Sequence, residues 1–122
     1  MVFPMYHVFA DVADFAGGIF EELHTESPLD AIGLRLALGK RRRTIVANLT
    51  ATPRIVRLPA SHQMAIRTLD ERTFTLATTQ PDRFRQTPQT LTTSDGTVDL
   101  PLGAYAIVTL DVTLDAALDR GW

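Results

Sequence analysis

The strictest constraint on this chain is the alternation in AIGLRLALG, where Ile32, Leu34, Leu36 and Leu38 point one way and Ala31, Gly33, Arg35 and Ala37 the other. A period of two fits a strand with one buried face and does not fit a helix. Gly39-Lys40-Arg41-Arg42 then reads as a hairpin tip, and RTIVANLT as the strand that returns from it. A weaker segment, Ile19 to His24, precedes this hairpin and ends before Ser27-Pro28. Beyond Thr52-Pro53, RIVRLP is followed by QMAIRTLD and RTFTLATT as the fourth and fifth strands. QPDRFRQTP, with Pro81 at its start and Pro88 at its end, is expected to be an irregular or single-turn excursion. QTLTT and TVDLPLG flank Ser94-Asp95-Gly96, whose Asp-Gly pair favours a tight turn. GAYAIVTLDV is β-branched, aromatic and almost continuously apolar, which suits a central place in a sheet. Seven or eight short strands in 122 residues predict a single, mainly β domain, a two-sheet antiparallel β-sandwich preceded by one N-terminal α-helix.

The helix comes from a change of period. Between Met5 and Ala16 the only polar residues are His7, Asp11 and Asp14, at i, i+4 and i+7. On a helix they stack into one narrow stripe and leave the rest of the circumference apolar. Pro4 suits the first helical turn, and Gly17-Gly18 can end the helix in a left-handed cap. The stripe is expected to be the solvent edge of a helix otherwise covered by protein. Met5, Val8, Phe9, Val12 and Phe15 then form a candidate interface, used either by a homo-oligomer or by a neighbouring barrel domain. The division is a helix over 1–18, a sandwich over 19–114 and a tail over 115–122.

Charge argues against several partners. Twelve basic and 14 acidic residues give a formal net charge of -2, so no overall field attracts nucleic acid or an anionic membrane. The absence of cysteine removes disulfides, thiolate metal sites and thiol nucleophiles. No secretion signal is evident, and the expected compartment is the cytoplasm.

No constellation of residues makes a persuasive active site, and no catalytic residue, metal or cofactor is predicted. His7, Asp11 and Asp14 are of metal-ligating type, yet a solvent stripe or a His7–Asp11 ion pair explains them as well. Lys40-Arg41-Arg42-Arg43 is the densest charge run and, lacking interleaved aromatics, is expected to be a solvated turn, with Arg41 to Arg43 able to meet an acidic neighbouring surface. Sugar-binding surfaces need exposed rings. Phe74, Phe84 and Tyr105 are expected in the core and Trp122 lies at the terminus, so carbohydrate binding is open but unsupported. Asn48, in a glycosylation-type triplet with Leu49 and Thr50, is expected to bond backbone at a strand end. Ser61-His62 with Asp70 has the residue types of a hydrolytic triad without its nucleophile elbow.

The order PMYHVFADVADFAG, LRLALGKRRRTIVANLT, TPRIVRLP, the acidic turn TLDE and VDLPLGAYAIVTLD resembles the C-terminal region of D-apionate lactonase-like proteins. More broadly it is similar to the tail of glycoside-hydrolase-type (β/α)8 enzymes, where the last barrel helix leads into a β-sandwich. Gly103-Ala104 stands before Tyr105 where many relatives have proline. The resemblance implies an accessory domain of a carbohydrate- or lactone-acting enzyme, carried as a short chain or fragment. It also implies no catalytic residue, because such barrels react at strand ends that have no counterpart here. A glycan- or protein-binding sandwich module is the alternative.

Overall fold

The computed structural model describes residues 2–23, 31–59, 63–92 and 96–113. The readings placed on His24, Ser27-Pro28, Ser61-His62, Ser94-Asp95 and 115–122, Trp122 included, lie outside the described residues. Helix α1 spans Met5–Ala13. Strands β1 (Ile19–Leu23), β2 (Ala31–Leu38), β3 (Arg41–Asn48), β4 (Arg54–Pro59) and β5 (Gln63–Leu69) follow. Helices α2 (Phe74–Thr79) and α3 (Pro81–Gln86) then precede β6 (Gln89–Thr92), β7 (Thr97–Leu102) and β8 (Ile107–Thr113). One sheet has the order β1-β2-β3-β8-β5-β6 and the other pairs β4 with β7, all antiparallel.

The two sheets enclose the main core. Val46 on β3, Met64 on β5, and Val108 and Leu110 on β8 meet Leu100 and Leu102 of β7, with Val56 and Leu58 of β4 packed beside them. The opposite face of the large sheet carries the helices. Phe15 seats on Leu36 and Ile45, while Ala77 of α2 and Phe84 of α3 meet Leu69. Ile107 borders both helical clusters. Strand β8 is thus buried on both sides, and this explains its nearly continuous apolar sequence. Burial of a ring such as Phe15 is worth about 1.5–3 kcal/mol.

Several sequence expectations are corrected. RTFTLATT is not a fifth strand. It holds α2, entered through a reciprocal pair in which the Asp70 N–H donates to Thr73 Oγ1 (3.0 Å) and the Thr73 N–H to Asp70 Oδ1 (3.2 Å). That pair closes the turn over 70–73, from which α2 starts in spite of its β-branched threonines. QPDRFRQTP supplies α3, with Pro81 in its first turn and Phe84 buried. Phe84 is core as expected, but Phe74 and Tyr105 are exposed. The last correction reverses α1. His7 and Asp11 are 2% and 3% exposed, so most of the expected solvent stripe is the inward face. Among the described residues no helix is long and apolar enough to cross a membrane.

The join between α1 and β1 is tight. Gly17 takes φ +87° after the helix, and an added Cβ on Gly18 would stand 2.1 Å from the Ala37 carbonyl oxygen. Gly18→Ala is therefore expected to lower the unfolding free energy by about 1–3 kcal/mol through overpacking, measured by denaturant titration.

Candidate functional site

The inward stripe of α1 meets a polar island on the large sheet. Cross-strand register builds that island, because Arg43 of β3 lies opposite Asp111 of β8, and Thr109 of β8 opposite Arg67 of β5. All four side chains share the helix-facing side with Ile45 and Ile107. Arg85 arrives from α3.

Arg43 grips Asp111 with two parallel bonds, Nε to Oδ1 at 2.6 Å and Nη2 to Oδ2 at 2.9 Å. Its Nη1 donates to the Asp11 carbonyl (2.8 Å) and to Asp14 Oδ2 (2.9 Å). Asp11 Oδ1 accepts from Arg67 Nη2 and from Arg85 Nη2 (2.7 Å), and Asp11 Oδ2 from the Thr109 hydroxyl (2.9 Å). Arg85 Nη2 also reaches Asp14 Oδ2 (3.3 Å), and its Nη1 donates to the His7 carbonyl (3.2 Å). His7 Nε2 donates to the Ala77 carbonyl at 2.8 Å, a partner that can only accept. Its Nδ1 then faces Arg85 Nη1 at 3.4 Å. Three guanidinium groups thus meet three carboxylates in one balanced cluster. Phe15 lies under Arg43 (5.0 Å from guanidinium carbon to ring centroid) and Phe84 under Arg67 (5.6 Å), adding cation–π attraction. No buried side-chain nitrogen or oxygen among the described residues lacks a partner.

Burial alone would push the Arg43 pKa down. The hydrogen bonds to Asp111 and Asp14 and the charges of Asp111 and Asp11 outweigh it and hold the group above the ordinary arginine value. Arg43 therefore stays charged wherever the protein folds.

Chemically this is a clamp. A metal ion would have to compete with guanidinium groups for every carboxylate, and the polar groups of the stripe bond arginines, Thr109 or backbone rather than a cleft. The basic run does not behave as one solvated turn either. Gly39-Lys40 alone make the turn, Arg41 lies over the Phe15 ring (4.7 Å), Arg42 donates to the Gly39 carbonyl (2.6 Å), and Arg43 is buried. Asn48 does bond backbone as expected, with Nδ2 donating to the Thr52 (2.9 Å) and Gly103 (3.0 Å) carbonyls. Of the five candidate interface residues, Met5 and Phe9 are exposed, Val8 and Val12 half-buried, and Phe15 sits in the chain's own core. The sequence reading missed Arg67, Arg85, Thr109 and Asp111. One signal for the sheet residues was present, since Arg43 shares the parity of Ile45 on β3 and Asp111 that of Ile107 on β8.

The two antiparallel sheets packed around one apolar core define a β-sandwich domain. This chain belongs to the family described as D-apionate lactonase, C-terminal immunoglobulin-like domain, which matches residues 26–110. The match begins after α1. Among solved structures, a GH30 endoxylanase from Clostridium papyrosolvens C71 is similar, with a TM-score of 0.64, 10% identity, and coverage of 93% of this chain and 28% of that one. A family 30 subfamily 8 xylanase from Clostridium acetobutylicum has a TM-score of 0.62 and 13% identity, over 93% and 29% of the two chains. An Anoxybacillus alpha-amylase has a TM-score of 0.56 and 16% identity, over 93% and 22%. This chain therefore spans less than a third of each of these proteins, and at such identities the likeness is one of fold. No curated protein matches the sequence.

Asp11→Ala would leave the part-buried Arg67 and Arg85 beside a missing carboxylate. The expected loss is about 3–5 kcal/mol in chemical denaturation. A contrast is available on the outer sheet, where Arg57 Nε donates to Asp99 Oδ1 at 2.7 Å and both side chains are exposed. That bond holds the Asp99 carboxyl below its ordinary value, so any stabilisation exists above the usual carboxylate range and fades as pH falls through the lowered value. Solvent and salt screen the pair, and Arg57→Ala is expected to leave Tm unchanged in a thermal melt at neutral pH.

Proposed function

We propose that this domain is a non-catalytic accessory β-sandwich of a carbohydrate- or lactone-acting (β/α)8 enzyme, with a structural role against the catalytic domain. Family membership supports the association with lactonases, and the three solved neighbours are named as a GH30 endoxylanase, a glycoside hydrolase family 30 xylanase and an alpha-amylase. The observation that carries the non-catalytic part is the occupancy of the polar cluster. Asp11 is closed in by two guanidinium groups and a hydroxyl, and Arg43 by two carboxylates and a carbonyl, so neither offers a lone pair or a proton to a substrate. A general acid or base must reach its substrate within hydrogen-bond distance, and these groups are filled and covered by α1.

The purified chain is expected to release no product from an aldonolactone, xylan or starch above the buffer rate, and to give no saturable heat in calorimetric titration with glycans. Turnover by the chain alone would refute the reading. Saturable glycan binding would move it to the sugar-binding alternative.

A further inference from the structure

His7 is a buried titratable group whose two ring nitrogens are both in use. Nε2 donates to the Ala77 carbonyl at 2.8 Å. A carbonyl only accepts, so in the neutral ring the proton sits on Nε2 and Nδ1 carries a lone pair. That lone pair faces Arg85 Nη1 of α3 at 3.4 Å. The Tyr6 and Phe84 rings stand edge-on to the imidazole, 5.1 and 4.7 Å away between centroids, and help to keep water from it. We propose that the docking of α1 is coupled to a proton on His7: the seat admits the neutral imidazole alone, so mild acid loosens the helix. The inference stands apart from the accessory-domain reading, because it concerns the chain's own fold.

A second proton must go to Nδ1, and the groups around that atom do not suit it. The proton would turn an acceptor into a donor against the donor Nη1, and would set a positive ring beside a positive guanidinium. The carboxylates that could compensate are committed elsewhere. On α1 and just past its end, Asp11 Oδ1 takes Arg67 and Arg85, Asp11 Oδ2 takes Thr109, and Asp14 Oδ2 takes Arg43 and Arg85. On the sheet, Asp111 is held by both arms of the Arg43 fork. Helix α2 has no ionisable side chain, and α3 adds only the exposed Asp82 and Arg83 to Arg85. Arg85 is also fixed in place, since the same guanidinium bonds Asp11, Asp14 and the His7 carbonyl. The cluster is balanced with His7 neutral, and a proton there adds one buried charge without a partner.

Release of α1 returns the ring to water, where an imidazole binds a proton with a pKa of about 6.5. The proton therefore favours the released helix over the docked one. Docking is firm above that value and weakens progressively as pH falls through it. Full exclusion of the proton from the docked state raises the opening constant about tenfold between about pH 7.5 and pH 5.5. Carboxylates ordinarily ionise at about pH 4, below this window, so the step belongs to histidine.

Amide hydrogen exchange on the full chain at these two pH values, expressed as protection factors corrected for intrinsic exchange, tests the coupling. The α1 amides are expected to lose about tenfold in protection at the lower pH. His7→Gln keeps a side-chain N–H for the Ala77 carbonyl and cannot titrate, and its α1 protection is expected to be equal at both values. His24 and His62 remain in that variant and serve as internal controls. Nitrogen NMR of the unsubstituted chain needs no variant and decides the matter should His7→Gln fail to fold: Nδ1 of His7 is expected to keep the shift of a bare nitrogen at the lower pH. Protection that is flat or rises in acid would overturn the inference, as would an Nδ1 that takes up a proton while α1 stays protected. An acid loss that persists in His7→Gln would overturn it too.

Discussion

The Asp11 carboxylate, held by Arg67, Arg85 and Thr109 beneath α1, fixes the placement of everything on the helical side of the sheet. A nine-residue helix is too short to persist in water on its own, and α1 has no side-chain cap and no acidic residue in its first turn. Its order must come from docking. Phe15 and the half-buried Val12 supply apolar burial, but one ring beyond the helix end and one small side chain do little to fix the rotation of the helix about its axis. The charged bonds do, because guanidinium forks accept a carboxylate only in certain orientations.

Burying this much charge costs desolvation, and an apolar packing of equal volume can be as stable. What the ionic version adds here is direction. Arg43 and Asp111 come from neighbouring central strands, Arg67 from the next, and Arg85 from α3, so the cluster ties four elements to one face of α1. An apolar seat would let α1 bury Phe9 and expose His7. The charged seat forbids that and leaves the ring face outward.

Much of the fold was legible because alternation is a local signal. The β2–β3 hairpin, the central place of β8 and the helix at Met5–Ala13 all follow from period and punctuation. Helix α2 was not, since its threonines favour a strand and the decisive Asp70–Thr73 pair acts through hydrogen bonds at its start. The stripe of His7, Asp11 and Asp14 was legible as a stripe but not in its direction. A helix with one polar edge normally turns that edge to water, and the reversal depends on arginines 29 to 78 residues away in the chain. Only the fold brings them together. Tyr105 is a smaller case of the same kind. Its strand-like neighbours suggest core, yet it takes φ +55° with its N–H bonded to the Thr50 carbonyl, and the ring is left outside.

The resulting picture is a sandwich whose apolar core lies between its sheets, whose second face is organised by ion pairs, and whose N-terminal helix is oriented by those pairs rather than by its own amphipathicity. The most direct test of that orientation is solvent paramagnetic relaxation in NMR on the dilute chain, read at the Met5 methyl and the His7, Phe9 and Phe15 rings. The account predicts strong relaxation at Met5 and Phe9 with His7 and Phe15 protected. Strong relaxation at His7 with Met5 and Phe9 protected would show the helix turned the other way and contradict it.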